Sequence, residues 1–592
     1  MKKQFILFVF LAFGMACGAQ TPWNGTVAEA YEGGDGTAEN PYQIATAEQL
    51  ALLAYETNNG IGGYAYYILT EDINLNSSQG YLWSPIGMEP FVFTGSFDGN
   101  KHIISDLYVY NNKLSGLFGG TEQAIIKNVR INNSTISMTM LLESSSIGFI
   151  AGRATDTNFA DCIVDGNITD NLGYMTGGIV GEFIVSDMTE DTIAIRNCEN
   201  YAEINGFLHV GGIAGFTTLE SNKMIIEGCV NHGDLSYRTV AEVGGMIGRG
   251  NFILRGCENY GRIDGNSAGG MVGHGNGFGI MTYCINHESG EVRGECAGGI
   301  IGTAINTTMS MCVNKAPIIG DKGNTTFVGG IAGANGSFSN CYNRGDISID
   351  LSNNIPGAIQ MGGISSTPSN GSIFNVYNTG AVVKVDHPNV YSKCYGIIIP
   401  VIQSDTLIGN CYWFGDYDVP PCQINVNDPG SPVSLPGSCP FYEGTTPTTW
   451  ILDEAQYGTT DLIEALNLGA MGECVWVEDV EMVNDGFPVF GVNNPSNLHE
   501  FVSAETSVYP NPGGSTLNIS TGLQNARVEI YDMSGRMVYK QKIMENVTAI
   551  NTENWPSGTY LWKVYAGPST LRLASGTPGS VTEAESGKWI KE

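Results

Sequence analysis

The chain has 592 residues, and 79 of them are glycine, about twice the usual share. Its 59 acidic and 27 basic residues give a formal net charge of −32, although charged residues make up only 15% of the chain. A negative surface repels phosphate groups, which argues against nucleic acid or anionic lipid as the main partner. The 42% of hydrophobic residues excludes a disordered acidic chain, and glycine without a three-residue period excludes collagen.

Residues 1–19 are typical of a secretory signal peptide. Lys2 and Lys3 precede an apolar run over 5–13, and small residues continue to Ala19. We predict cleavage after Ala19, with acylation of Cys17 as the alternative, although Gly14 stands where a lipobox normally has leucine. No later apolar stretch approaches the ~18 residues of a membrane span, so we expect no span in the mature chain.

Two short motifs alternate through the middle of the chain and predict a solenoid. One is Cys-x-Asn, whose copies lie 27 to 31 residues apart. Its cysteine and asparagine positions are Cys198 and Asn200, Cys229 and Asn231, Cys257 and Asn259, Cys284 and Asn286, Cys312 and Asn314, and Cys341 and Asn343. The other is Gly-Gly-apolar-apolar-Gly, whose second glycines are Gly178, Gly212, Gly245, Gly270, Gly299 and Gly330.

These repeats indicate an all-β fold. Glycine costs about 1 kcal/mol relative to alanine inside a helix, and each unit carries several glycines. The apolar pieces between them are short and bounded by Gly, Asn and Asp, which is typical of short strands. We therefore predict a right-handed β-helix (a β-solenoid) of about 30-residue repeats, in which each strand pairs with its equivalent one turn later.

Stacked coils would place equivalent residues in columns. We expect the cysteines to form a buried apolar column and the asparagine amides to hydrogen-bond along the axis and to turn carbonyls. The repeated glycines suit tight turns or close approach between coils. A metal or redox role for the cysteines is less favoured, because no histidine recurs beside them and no Cys-x-x-Cys occurs. Cys422 and Cys439 are the best candidates for a disulfide.

The repeats resemble the GLUG repeat of bacterial surface proteins. The Gly-Gly-Ile-Val-Gly unit at 177–181 carries the likeness, and the segments 35–50 and 93–100 are similar to the opening coils of such solenoids. The stretch 461–490 resembles their closing segment. We therefore predict an N-terminal cap with the first coils over 20–110, the solenoid over 111–420 and a C-terminal capping segment over 421–500.

The last part of the chain, 501–592, resembles the C-terminal sorting domain of type IX secretion substrates in Bacteroidetes. The matching positions are Pro510, Asn511, Pro512, Gly535, Gly558, Tyr560 and Lys563. The resemblance implies a small β-sandwich that the type IX translocon of the outer membrane recognises and that is then removed. It also implies that the protein is secreted or displayed at the cell surface.

Enzyme motifs are missing from the sequence. His287-Glu288 and His499-Glu500 lack the second histidine of a His-Glu-x-x-His zinc site. The acidic positions that follow the Cys-x-Asn motif could bind Ca²⁺ or act as acid and base, although solvated turn residues are the favoured interpretation. They are Asp234, Asp264, Glu291 and Asp346, with Arg262, Arg293 and Arg344 in comparable turns.

The sequence as a whole predicts an exported β-solenoid that acts as a non-enzymatic binding or adhesion module, without a cofactor. A glycan or a host surface protein is the expected partner. The aromatic residues expected either to be available for contact or to pack on the coil exterior are Tyr201, Tyr260, Tyr342 and Tyr377. The alternative is a polysaccharide lyase or hydrolase on the same scaffold, which would need a groove of clustered carboxylates with a Lys or Arg.

Overall fold

The structure is a computed structural model of the chain. The residues it describes are 23–76, 81–169, 172–186, 192–219, 223–238, 241–321, 323, 325–352, 357–367, 372–387, 390, 392–396, 399, 407–413, 466–467, 476–477, 479, 484, 488–490, 507–509, 516–520, 527–532, 537–542, 547–553, 555–556, 558–565 and 583–591. The predicted signal peptide with Cys17, the pair Cys422 and Cys439, and the sorting-motif residues at 510–512 and 535 lie outside these ranges.

The fold is nearly all β: a solenoid of about ten turns with repeats of about 30 residues, followed by a C-terminal sorting domain. This confirms the predicted fold class. Contacts divide the chain into two compact units. One contains residues up to Met224 together with 231–241 and 247–249, and the other contains 225–230, 242–246 and everything from Gly250 onward.

In the first unit, short parallel strands pair with their equivalents on successive turns; Ile147 pairs with Thr176, and Thr176 with Val210. The strands are Tyr42–Ile44, Tyr66–Leu69, Ile73–Asn74, Ser96–Asp98, Ile103–Ser105, Tyr108–Tyr110, Leu114–Ser115, Phe118–Glu122, Ile125–Lys127, Arg130–Ser137, Ser146–Gly148, Ala151–Thr155, Asn158–Ala160, Ile163–Thr169, Met175–Gly177, Val180–Val185, Ile193–Arg196, Glu199–Asn200, Glu203–Gly206, His209–Gly211, Ala214–Leu219 and Leu235–Tyr237. The division between the units falls within Met224–Glu227, Val230–Asn231 and Ile247–Arg255.

In the second unit the strands up to Leu407–Trp413 show the same parallel pairing, so that Val313 pairs with Tyr342 and Asn314 with Asn343, whereas Trp476–Val477 pairs antiparallel with Val489–Phe490. Its strands before the C-terminal domain are Glu242–Gly244, Glu258–Asn259, Ile263–Asp264, Ser267–Gly269, Val272–Thr282, Ile285–Asn286, Val292–Gly294, Cys296–Gly298, Ile301–Thr303, Thr307–Ser310, Val313–Asn314, Ile318–Gly320, Thr325–Gly329, Ala332–Ala334, Ser337–Ser339, Tyr342–Asn343, Ile347–Ile349, Ala358–Gly362, Ser372–Asn378, Ser392–Gly396, Leu407–Trp413, Trp476–Val477 and Val489–Phe490.

A left-handed corner precedes the cysteine position of successive coils. The residues there have φ between 51° and 62° in a backbone region that favours Gly, Asn and Asp. They are Asn197, Gly228, Gly256, Tyr283, Met311, Asn340 and Asn375. Tyr283 and Met311 adopt this conformation against their ordinary preference, so the neighbouring strands impose it on them.

The helix Ala47–Asn58 precedes the first complete coils of the first unit. The hydroxyl of Thr46 accepts a hydrogen bond from the Gln49 backbone amide at 3.3 Å, which caps the helix N-terminus. Leu50 and Leu53 are fully buried on its inner face.

The C-terminal domain is a β-sandwich, as predicted. Its strands are Ser507–Tyr509, Thr516–Ser520, Arg527–Asp532, Met537–Lys542, Val547–Asn551, Gly558–Tyr565 and Glu583–Lys591. They form one antiparallel sheet of three strands and another of four. Leu517, Ile519 and Ile550 of the first sheet share a core with Val528 and Ile530 of the second. The motif residues Gly558, Tyr560 and Lys563 lie on one strand of the larger sheet.

Candidate functional site

The asparagines of the Cys-x-Asn motif form a buried hydrogen-bonded ladder. Within the second unit, the Nδ2 atom of each asparagine donates to the Oδ1 atom of the next one along the chain, at 2.7 to 2.9 Å. The pairs are Asn259 and Asn286, Asn286 and Asn314, Asn314 and Asn343, and Asn343 and Asn378. Within the first unit, Asn200 donates to Asn231 at 2.7 Å. These amides have no exposed surface, so the ladder satisfies polar groups that would otherwise be costly to bury.

Five of the ladder asparagines pack against the second glycine of the other motif. A Cβ atom built on Gly299 would overlap the side chain of Asn314 and the carbonyl oxygen of Gly330. The same crowding occurs for Gly178 with Asn200, Gly245 with Asn259, Gly270 with Asn286 and Gly330 with Asn343. Gly212 takes part through its carbonyl oxygen, which accepts from the Gly178 amide at 3.1 Å. The two motifs therefore recur together because the asparagine needs a neighbour without a side chain.

The cysteines of the motif are buried thiols. Cys257, Cys284, Cys312 and Cys341 have no exposed surface. Burial raises the pKa of Cys257 and of Cys312 well above the ordinary value of a thiol. A thiol that stays protonated is a poor nucleophile and metal ligand, so this column acts as apolar packing. Among the described residues, no group of three or more His, Cys, Asp or Glu side chains is arranged to hold a metal ion.

The acidic turn residues have structural partners. Glu291 pairs with Arg262 and with Arg293, each at 3.3 Å. Arg293 also contacts carboxylates of two following turns, including Asp350 at 2.7 Å. Asp346 accepts a hydrogen bond from the backbone amide of Ala381 at 2.9 Å. Asp264 is the second residue of the strand Ile263–Asp264, where its backbone pairs in register with Arg293. Asp234 belongs to the first unit and lies in the turn before Leu235–Tyr237.

The four tyrosines expected at the surface divide into two groups. Tyr201 is 45% exposed, stacks on His232 with ring centroids 4.3 Å apart, and donates its hydroxyl to Glu199. Tyr260 is half-buried, stacks on His287 at 3.9 Å and donates to Glu258. In each pair the histidine ring lies over one face of the tyrosine ring.

The expectation was wrong for Tyr342 and Tyr377, which are buried and stack on each other at 4.7 Å. Residues from the predicted capping segment cover them: Trp476 lies 5.7 Å from the Tyr377 ring, between ring centroids. The Tyr377 hydroxyl donates to the carbonyl oxygen of Pro488 at 2.7 Å. The covered cluster also includes Ile285, Met311, Val313 and Leu466, and Phe490 packs against it.

A cleft of about 600 Å³ lies in the N-terminal part of the first unit, and it is our candidate binding site. Its walls come from the segment 29–36, the helix Ala47–Asn58 and the segment 61–67. Five tyrosines and three carboxylates supply most of its chemistry. They are Tyr31, Tyr42, Tyr64, Tyr66 and Tyr67, with Glu29, Asp35 and Glu56.

The inner wall of the cleft is a rigid aromatic cluster. The Tyr31 ring stacks on Tyr42 at 4.7 Å and packs edgewise on Tyr67 at 5.8 Å. The Tyr31 hydroxyl donates to the Oε2 atom of Glu56 at 2.5 Å, and the Tyr67 hydroxyl accepts from the Gly63 amide. Burial raises the pKa of Tyr67 to about 12, so its hydroxyl stays neutral at physiological pH.

The outer part of the cleft is exposed. Tyr64 is 71% exposed and Tyr66 is 44% exposed, so their rings are available to a ligand. Sequence reasoning treated this segment as opening coils and did not single out these residues. The available signal was the density of tyrosine over 64–67 together with Asp35 and Glu56, but only the fold brings these separate stretches to one cleft.

Residues 507–572 match the family described as "Secretion system C-terminal sorting domain". The match covers the β-sandwich up to the strand Gly558–Tyr565 and indicates export through the type IX secretion system, with localisation at the cell surface or in the medium. It confirms the predicted sorting domain, and it does not extend to the solenoid.

Two curated proteins are similar to part of the chain. A stretch of 186 residues, 29% of the chain, is 30% identical to halomucin of Haloquadratum walsbyi, where it spans 2% of that protein. A stretch of 195 residues, 32% of the chain, is 27% identical to a putative Gly-rich membrane protein of Evansella cellulosilytica, where it spans 21% of the length. The chain thus spans well under two thirds of either relative, and neither name denotes an enzyme.

No solved structure matches the chain. Among the described residues, no helix has both the length and the apolar character needed to cross a membrane.

Proposed function

We propose that the protein is a non-enzymatic binding or adhesion module, exported by the type IX system, whose N-terminal cleft attaches to a carbohydrate. The solenoid repeats are, in this proposal, of the GLUG type and the source bacterium is a member of the Bacteroidetes. The ladders of the solenoid have a structural role, and the ligand contacts lie in the cleft.

The observation that carries the proposal is the exposure of Tyr64 and Tyr66 at the mouth of the cleft. Tyrosine rings offer an apolar face and a polar edge, which suits the flat apolar faces and the hydroxyl groups of a sugar. The neighbouring Tyr31 and Glu56 are fixed by their mutual hydrogen bond, so the polar groups of the cleft are preorganised. A host protein remains the other class of partner for the test to separate.

The test is a glycan array probed with the purified full chain, combined with chromatography of the same glycans after incubation. We expect binding without any product, and at least a tenfold weaker signal for the double variant Tyr64→Ala, Tyr66→Ala. The matched control is Tyr201→Ala, which removes an exposed tyrosine outside the cleft and should leave the signal unchanged. Binding to no glycan, or release of shortened glycans, would contradict the proposal.

A further inference from the structure

We infer that the cleft selects a glycan whose sugars carry a free, protonated amine, such as a glucosamine oligosaccharide. This inference deepens the proposed function and rests on it. It concerns the charge of the ligand, because contacts with aromatic rings do not by themselves determine which charge the ligand carries.

The cleft is lined by carboxylates without a matching cation. Glu29, Asp35 and Glu56 all contribute to its walls, and none of the described residues that line it is Lys, Arg or His. Elsewhere in the described structure, carboxylates such as Glu182 and Glu227 pair with arginines. A half-enclosed site with three negative groups repels uronic acids, sialic acids and sulfated sugars, and it attracts a cation.

Two of these carboxylates are held in place by neighbours. The Oδ1 atom of Asp35 accepts from the Thr37 hydroxyl at 2.7 Å and from the Thr37 amide at 3.1 Å, and these bonds lower the pKa of Asp35. Glu56 accepts from Tyr31 through Oε2, while its Oε1 atom accepts no hydrogen bond from the described residues. Glu56 therefore keeps one fixed acceptor atom for an ammonium group of a ligand.

The tyrosines complete the arrangement. An ammonium group near a tyrosine ring gains a cation–π attraction of about 0.5–2 kcal/mol, and the attached sugar ring can lie against the exposed Tyr64. An N-acetyl group removes the charge that both Glu56 and the rings recognise. We therefore expect a glucosamine oligosaccharide to bind more tightly than an N-acetylglucosamine oligosaccharide, and a glucuronic acid oligosaccharide to bind least.

The experiment is isothermal titration of the full chain with the tetramers of glucosamine and of N-acetylglucosamine. We expect at least tenfold tighter binding of the glucosamine tetramer at pH 6, a preference that disappears when the pH is raised above the pKa of the sugar amine. Glu56→Gln and, separately, Asp35→Asn should each reduce that preference several-fold. Glu71→Gln, an exposed glutamate outside the cleft, is the matched control and should change nothing.

The outcomes separate the inference from the proposed function. If neither tetramer binds and the array is also blank, the proposed function fails. If both tetramers bind equally, or the acetylated one binds more tightly, the proposed function stands and the inference is overturned. If an oligolysine of equal charge binds as tightly as the glucosamine tetramer, the ligand class is wrong. Asp35→Asn guards against misfolding of Glu56→Gln, since Asp35 is exposed and its removal breaks no buried contact.

Discussion

The carbonyl oxygen of Gly330 lies so near Gly299 that no side chain fits between them, and the amide of Asn314 fills the remaining space. This contact explains why two motifs that look independent in the sequence recur together. The asparagine side chain forms the hydrogen bonds of the ladder, and the glycine leaves the space that this side chain occupies. Each coil thus needs both residues at the same level of the stack.

Gly299→Ala tests this pairing directly. The new Cβ atom would lie 2.6 Å from the Cβ atom of Asn314, so the coil must shift. We expect a loss of about 1–3 kcal/mol, the usual cost of overpacking a buried site, measured by chemical denaturation of the full chain. Gly33→Ala is the matched control, since its nearest neighbour is the flexible Gln43 side chain at 3.1 Å. Equal stability of the two variants would contradict the pairing.

Asn314→Asp tests the ladder itself. The Asn314 amide donates to Asn343 Oδ1 and to the Ala316 carbonyl, so an aspartate there would place a buried charge against two acceptors. Burial raises the folded-state pKa of this aspartate above the unfolded value of about 3.9. The variant is therefore least destabilised below pH 4 and loses about 3 kcal/mol or more at pH 7.

The measurement is thermal unfolding of this variant across pH 3.5 to 8, compared with Asn314→Ala. The alanine variant loses the same hydrogen bonds without gaining a charge, so its deficit relative to the natural chain should not depend on pH. A pH-independent deficit for the aspartate variant would show that the site is open to water.

Residue columns were largely predictable from the sequence, because equivalent positions in a stacked coil must share one environment. The strands and the buried cysteines and asparagines follow from that rule. The specific contact between Gly299 and Asn314 did not, because the two residues are 15 positions apart, with Gly299 just after the strand Cys296–Gly298 and Asn314 in the strand Val313–Asn314. Their distance depends on how the coil closes.

Among the structural elements, Leu466, Trp476 and Phe490 form a cover over one side of the second unit. Trp476 is 1% exposed, and its ring lies 4.6 Å from Phe490 and 5.7 Å from Tyr377. The segment therefore covers an outward-facing column that starts at Ile285 and includes Tyr342. A sheet face with such large apolar residues would otherwise be a site of aggregation.

Trp476→Ala removes the largest side chain of this cover. We expect the cover to detach at a cost of about 3–5 kcal/mol, so that chymotrypsin cuts near Tyr342 and Tyr377 under conditions in which the natural chain resists. Val477→Ala is the matched control, because this neighbouring residue is 36% exposed. Digestion that is unchanged in Trp476→Ala would contradict a role for the cover.

The burial of individual tyrosines was the feature of these elements that the sequence predicted least well. Tyr201 directly follows the strand Glu199–Asn200, and Tyr342 lies in the equivalent strand of a later coil, Tyr342–Asn343. Both side chains point away from the coil interior. Only Tyr342 is covered, by residues more than 100 positions later in the chain. The cleft escaped prediction for a related reason, since Tyr31, Glu56 and Tyr66 meet only after the helix packs on the first strands.

For the whole molecule, the sorting tail determines the destination. We expect removal of residues 507–592 to abolish export in a bacterium with a type IX system, because the family match at 507–572 lies within this region. Protease treatment of intact cells should then leave the truncated chain undegraded, whereas the full chain is digested. The exposed-site variant Val477→Ala, with its tail intact, should behave as the full chain does. Surface display of the truncated chain would contradict this role.

The net charge of −32 is a property of the whole molecule. It argues against nucleic acid as the main partner, and three of the acidic residues behind it, Glu29, Asp35 and Glu56, line the cleft. The fold and the export were thus predictable in outline, and the class of partner stays a prediction. The site was not, because composition does not say which acidic residues meet.

The most direct test of the account is a crystal structure of the full chain soaked with the glucosamine tetramer. We predict density for a sugar ring against Tyr64 and Tyr66, with an amine nitrogen within about 3 Å of Glu56 Oε1. Density for the tetramer elsewhere on the solenoid, with the cleft empty, would contradict the claim that this cleft is the binding site.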